Sequence, residues 1–181
     1  RRQRQMCIRD RVMSKPLLVV SCPIDTYSGY GARARDFVQS IIDSDKYQVQ
    51  ILSQRWGGTR FGYLADHNNT SLSSRIVPNL TQQPDVWIQI TVPNEFQKVG
   101  KYNIGVTAGM ETTLCDPSWI QGCNKMDLVI VSSQHAKKTF ETSKFDVQDD
   151  KTKQITSSIE LTTKVEVLFE GGDVNKYTPL A

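Results

Sequence analysis

The sequence predicts an α/β domain, a Rossmann-like three-layer sandwich with a mostly parallel sheet, and three observations carry that prediction. Short uncharged runs, LLVV from Leu17 and LVIV from Leu128, have the composition of strands buried on both faces. A glycine-bearing loop separates the first run from an amphipathic stretch, which is the strand–loop–helix opening of a doubly wound sheet. Asp116-Pro117 and Ser132-Ser133 each precede a helical pattern, where an N-cap and a first-turn proline belong.

Taken in order, Leu17–Cys22 is the first strand and Pro23 ends it. The loop IDTYSGYG leads to a helix over residues 32–42, with Phe37, Val38, Ile41 and Ile42 on one face. Residues 47–52 form the second strand, in which Val49 and Ile51 alternate. Residues 56–66 combine glycine with aromatics but have no helical period, so they read as a loop or lid, and residues 68–74 continue it into a short helix. Pro84-Asp85 introduces the third strand at 86–91, and 92–100 lead to the fourth at Tyr102–Thr107.

GMETTLCD then forms a loop, and Trp119, Ile120, Cys123 and Met126 recur at helical spacing as far as Asp127. LVIV follows as a strand, and the next helix ends near Ser143. Residues 144–163 are polar and charged, with Phe145, Val147, Ile155, Ile159 and Leu161 as apolar points, and read as an excursion at the sheet edge. Residues 165–169 return as the last strand.

The chain of 181 residues suits one domain, able to bury about 70% of its unfolded surface without staples. No apolar run approaches the roughly 20 residues of a membrane span, so no integral membrane segment is expected. Residues 1–12 hold five Arg and one Asp without periodicity, and MCIRDR resembles the translated end of a transposase adapter. They read as non-native, with a basic nucleic-acid-binding arm as the competing reading, and the domain as residues 13–181. The formal charge of +3 includes +4 from that segment, which leaves about −1 and no nucleic-acid signal. Cys22, Cys115 and Cys123, an odd number without metal spacing, point to a reduced, cytoplasmic protein. Asn68-Asn69-Thr70 and Asn79-Leu80-Thr81 are then chance matches to the glycan acceptor pattern.

Gly29, Tyr30 and Gly31 open the first helix, where backbone N–H groups and the helix dipole suit an anion, and are the first-choice ligand contacts. A loop whose glycines only ease a turn is the alternative. Arg33 follows in the first turn, where a guanidinium can pair with phosphate. Glu111 and Thr112 lie past a strand's C-terminal end, where open α/β sheets place ligands. There a carboxylate can hold sugar hydroxyls or act as a base, or simply cap the next helix. Asn124 either reaches the cleft or, like Asp127, fixes a helix-to-strand turn. Trp56, beside Gly57 and Gly58, is the candidate to stack on a sugar or base. His67 and His135 show no triad spacing, and no metal ligands are assigned.

Residues 29–34 also satisfy G-x-G-x-x-A, the dinucleotide fingerprint, which keeps an NAD-linked oxidoreductase as an alternative. PIDTYS separates the glycines from the strand, however, and LSQR ends the second strand without an acid for a ribose.

Gly105, Glu111, Pro117, Trp119, Cys123, Asn124, Met126, Asp127, Ser132 and Phe140 hold a spacing that resembles the N-terminal domain of glycosyltransferases of the GT-B fold, in the group-1 superfamily. Glu170, Gly171, Asp173, Tyr177 and Pro179 are similar to that superfamily's exit from the domain, with Gly172 in place of an aliphatic residue. The superfamily's pair of Glu residues separated by seven positions is absent from this sequence. The resemblance implies one acceptor-side lobe of a two-lobed enzyme, with a C-terminal donor-binding domain still to follow. It implies hexosyl transfer from a nucleotide-diphosphate sugar, bound as substrate and not as cofactor, to an unknown acceptor hydroxyl. Retention and metal independence are implied too, with Glu111 as the catalytic candidate. Gly29, Tyr30, Gly31, Arg33, Trp56, Thr112 and Asn124 would be the donor or acceptor contacts. This lobe alone would be inactive. A non-catalytic binding module of the same shape is the other alternative.

Overall fold

The computed structural model describes residues 14–149, 151–152 and 154–171; the segment read as non-native and the exit from Gly172 onward lie outside them. The strands are β1 (Leu17–Cys22), β2 (Gln48–Ser53), β3 (Val86–Ile90), β4 (Tyr102–Thr107), β5 (Leu128–Val131), β6 (Phe145–Gln148), β7 (Ile155–Ile159) and β8 (Val165–Val167). The helices are α1 (Gly29–Asp43), α2 (Tyr63–Asp66), α3 (Thr70–Ser73), α4 (Pro117–Cys123) and α5 (Gln134–Thr142). Six strands form one sheet in the order β2-β1-β3-β4-β5-β8, every neighbouring pair parallel.

Side-chain alternation along β1 builds the three layers. Leu18 and Val20 join Ala34 and Val38 of α1 with Leu64 and Leu72, whereas Leu17 and Val19 belong to the core that holds Ile120 of α4 and Phe140 of α5. β1 is buried along its whole length because it pairs with β2 on one side and β3 on the other. LVIV is covered less evenly than its composition suggests. Val129 and Val131 are buried, while Leu128 and Ile130 are half-buried, because the core on their face is centred on β1 beneath α1.

Strand order reverses between β1 and β3, and in open parallel sheets that switch opens a crevice beyond the strands' C-terminal ends. The loop after β3 is fixed there. Phe96 is fully buried and fills the space that Gly105 leaves, where a Cβ would stand 2.4 Å from the ring. Pro93 lies so close to α4 that a Cβ on Gly122 would stand 1.8 Å from its carbonyl oxygen.

Several boundaries differ from the sequence expectation for identifiable reasons. α1 starts at Gly29 because the Ser28 hydroxyl accepts from the Gly31 N–H at 2.9 Å, and a cap outweighs the poor helix propensity of glycine. Tyr63–Asp66, read as loop, is a short helix whose Leu64 N–H donates to the distant Asp25 carboxylate at 2.6 Å. The polar excursion is an antiparallel hairpin of β6 and β7. No helix among the described residues is long and apolar enough to cross a membrane.

Candidate functional site

The loops after β1, β2 and β4 converge at the C-terminal edge of the sheet. The Tyr30 hydroxyl accepts from the Ala108 N–H at 3.1 Å and lies 3.1 Å from the Thr107 hydroxyl, tying the start of α1 to the end of β4. The Trp56 indole stacks on Tyr30, with ring centroids 4.1 Å apart and planes inclined by 23°. Gly29, Tyr30, Arg33, Trp56, Ala108 and Glu170 together line a crevice of about 290 Å³. It opens into a hollow of about 390 Å³ between α1 and residues 168–171, where Leu168 and Phe169 are exposed.

The two glycines of SGYG have different jobs. A Cβ on Gly31 would stand 2.4 Å from the Thr26 carbonyl oxygen and 2.9 Å from that of Pro23, so close packing against the turn requires glycine. A Cβ on Gly29 would meet nothing within 4 Å, so its surface faces open space. The Gly31 N–H is taken by Ser28, while those of Gly29 and Tyr30 stand at the first two helical positions, which have no acceptor within a helix. Two residues whose N–H groups lack a helical acceptor, at the positive end of a 15-residue helix, therefore line the crevice.

Arg33 supplies a guanidinium one turn on, its side chain only 11% exposed and paired with the Glu170 carboxylate. Glu170 must give way before an anion can meet that guanidinium in full. Arg35 points elsewhere: it donates to the carbonyls of Ile24 and Thr26 and lies 3.4 Å over the Tyr63 ring, holding the loop that leads into α1.

Other expected site residues stand apart from this crevice. Gly109, at φ +85°, turns the chain after β4 toward α5, where the Thr112 carbonyl accepts from the Thr139 hydroxyl at 2.9 Å and lies 3.2 Å from His135 Nε2. The Thr112 hydroxyl donates to the Leu114 carbonyl, and Glu111 is exposed with no hydrogen bond from the described residues. Neither lines the crevice. Asn124 is farther still, at the end of α4 beside the opposite edge of the sheet. Its oxygen accepts from the Thr162 and Thr163 N–H groups and its amide donates to the Glu160 carbonyl, strapping down the segment that enters β8. Ser133 caps α5 as expected, while Ser132 donates to the Ala108 carbonyl.

The cysteines belong to the packing. Cys22, Cys115 and Cys123 are free and buried, and burial pushes the thiols of Cys22 and Cys123 up to about 12. Among the described residues no three His, Cys, Asp or Glu side chains are grouped as a metal ion would need.

Sequence reasoning did not single out Thr107, or Glu95 in the loop after β3. Thr107 is hidden as the last residue of an apolar strand. Glu95 stands two residues past Pro93, at a strand's C-terminal end, and that position was its only signal. Fold and crevice together define a doubly wound α/β domain with an open crevice at its topological switch. Comparison of the chain with protein-family models, with curated proteins and with solved structures finds no match.

Proposed function

We propose that this domain is the acceptor-side lobe of a GT-B glycosyltransferase, which moves a hexose from a nucleotide-diphosphate sugar to an acceptor hydroxyl. The observation that supports this reading is the junction of the α1 N-terminus with the end of β4 through Tyr30, beside the Tyr30–Trp56 aromatic pair in one crevice. A departing diphosphate develops negative charge, and oriented N–H groups stabilise such charge without reorganising. Gly29 and Tyr30 offer those groups, Arg33 adds a cation once Glu170 releases it, and Trp56 offers an apolar surface for a sugar or base.

On this reading a second α/β lobe covers the crevice and provides most donor contacts, and the free thiols suit a reducing cytoplasm. Retention and metal independence belong to the same proposal. The carboxylate that handles the acceptor need not be Glu111, which stands outside the crevice.

The test is turnover. Protein expressed from a reading frame extended beyond Ala181 is incubated with UDP-, GDP- and ADP-sugars and a glycan panel, and acceptor-dependent release of nucleoside diphosphate is measured. Release that drops at least about tenfold in Arg33→Ala supports the reading, that being the effect of losing one charge-assisted contact. No release from any donor, together with thermal stabilisation by a nicotinamide dinucleotide, would replace it with the oxidoreductase alternative.

A further inference from the structure

Beyond Trp56, on the side away from the α1 N-terminus, lies a separate hollow of about 410 Å³, between the turn after β2 and the loop after β3. Arg55, Trp56, Gly57 and Gly58 form one wall and Glu95 the other. The turn is tight: the Thr59 N–H donates to the Trp56 carbonyl at 3.0 Å, and Gly57 sits at φ +51°. The Arg55 guanidinium lies 5.4 Å from the centre of the Phe61 ring.

Glu95 is held firmly for an exposed residue. The buried Thr91 hydroxyl donates to its Oε2, and the buried Gln89 side chain donates to its carbonyl at 3.0 Å while accepting from the Gln97 N–H at 2.9 Å. Two buried polar side chains thus clamp the loop around the fully buried Phe96. Oε1 of Glu95 has no partner among the described residues, and Arg55 and Glu95 form no ion pair with each other.

A preorganised carboxylate that can only accept therefore shares this hollow with an arginine whose guanidinium can only donate, beside an indole and open glycine backbone. An anion in this hollow meets the Glu95 charge and a cation meets that of Arg55. A hydroxyl both donates and accepts, so vicinal hydroxyls can bridge the two groups while the sugar's C–H face lies against Trp56. We propose that this hollow is a hexopyranoside subsite, with Glu95 and Arg55 as its hydroxyl-binding pair. The proposal deepens the transferase reading by assigning the acceptor's sugar to the β2–β3 side of Trp56, but its test does not depend on turnover.

The test uses backbone and indole NMR shifts of the whole chain, titrated with methyl glucoside, methyl mannoside and methyl galactoside, and separately with inorganic pyrophosphate. At least one glycoside is expected to shift the Trp56 indole and the Gly57 and Gly58 amides. Its affinity should fall at least about tenfold in Arg55→Ala, with the thermal midpoint unchanged, and in Glu95→Ala, where the orphaned buried Thr91 hydroxyl should also lower the midpoint by at least about 2 °C. Thr91→Val, which removes the group that orients Glu95, should give a smaller loss. Pyrophosphate should move Gly29 and Tyr30 and leave Gly57 in place. Silence of Gly57 and Gly58 toward all three glycosides, or affinity that survives Glu95→Ala, overturns the subsite even if the extended enzyme turns over. Binding that meets these criteria upholds it even if no nucleotide-sugar is consumed.

Discussion

The two edges of the central sheet treat their polar groups in opposite ways. At the edge where strands begin, the side chains of Asn103, Asp85 and Asn124 close on the protein itself. Asn103, fully buried, accepts from the Val99 and Gly100 N–H groups at 2.9 and 2.8 Å and donates to the Gly100 carbonyl and to Asp127. Asp85 accepts from the Leu17 N–H and from Lys101, and Asn124 ties down residues 160–163. At the edge where strands end, Gly29 faces open space, Glu95 keeps a free oxygen and Glu111 makes no bond to the described residues. One edge spends these polar groups on stability, and the other leaves several without a partner among the described residues.

The largest effect should come from the closed edge. Asn103→Ala leaves the buried Gly100 N–H and the half-buried Val99 N–H without acceptors, at up to about 1–3 kcal/mol each, so a loss of roughly 3 kcal/mol is expected in urea unfolding. That corresponds to a fall of about 6–12 °C in Tm for a domain of this size. A loss below about 1 kcal/mol would mean that water reaches these groups, and the contrast between the edges would weaken.

Gly31 and Gly29 sharpen the comparison within a single loop. Gly31→Ala drives a Cβ against the backbone of Thr26 and Pro23 and should cost about 2–3 kcal/mol. Gly29→Ala has room and should change stability by less than about 0.5 kcal/mol, yet should weaken diphosphate binding measured by calorimetry. If both were equally harmful to folding, Gly29 would be a structural glycine and the anion site would lose its main support.

A smaller change isolates the bridge across the crevice. Tyr30→Phe keeps the stack on Trp56 and removes the hydroxyl shared with Thr107 and Ala108, for an expected cost of about 1 kcal/mol. Hydrogen exchange should speed up at Ala108 more than at Val106, which would locate the loss at the exit of β4.

The sequence showed the strands and the caps because their signals are local: apolar runs, Asp116-Pro117, Ser133. It hid whatever depends on distant partners. The start of α2 is set by Asp25, 39 residues away, and the hairpin's mostly exposed strands carry no clean alternation for burial to imprint. Site residues divide in the same way. Gly29, Tyr30, Arg33 and Trp56 meet as their loop positions suggested, whereas Glu111 and Asn124 share a spacing pattern but not a place. Their direction depends on Gly109 turning the loop to α5 and on where α4 ends, neither of which spacing encodes.

The smallest effect is electrostatic and concerns Asp127 at the closed edge. The hydrogen bond from the Asn103 side chain holds this carboxyl below the ordinary aspartate range against the opposing effect of burial, and the Asn103 backbone N–H and Lys98, at 3.9 Å, add smaller downward effects. A depressed folded-state pKa gives stability that is complete above the unfolded value, near about pH 4, and is lost as pH falls through the folded value. Asp127→Asn keeps the acceptor oxygen but not the charge, so it should be less stable than the native chain at pH 7. The gap should close as both are acidified, because protonated Asp and Asn then offer Asn103 the same kind of acceptor. Asp85 is depressed too, chiefly by Lys101, but is common to both chains and cancels in the difference. Unfolding curves taken between about pH 7 and 2.5 measure that gap directly. A gap that stays constant to the acid end would show that this edge is held by shape alone, with no contribution from the carboxylate's charge.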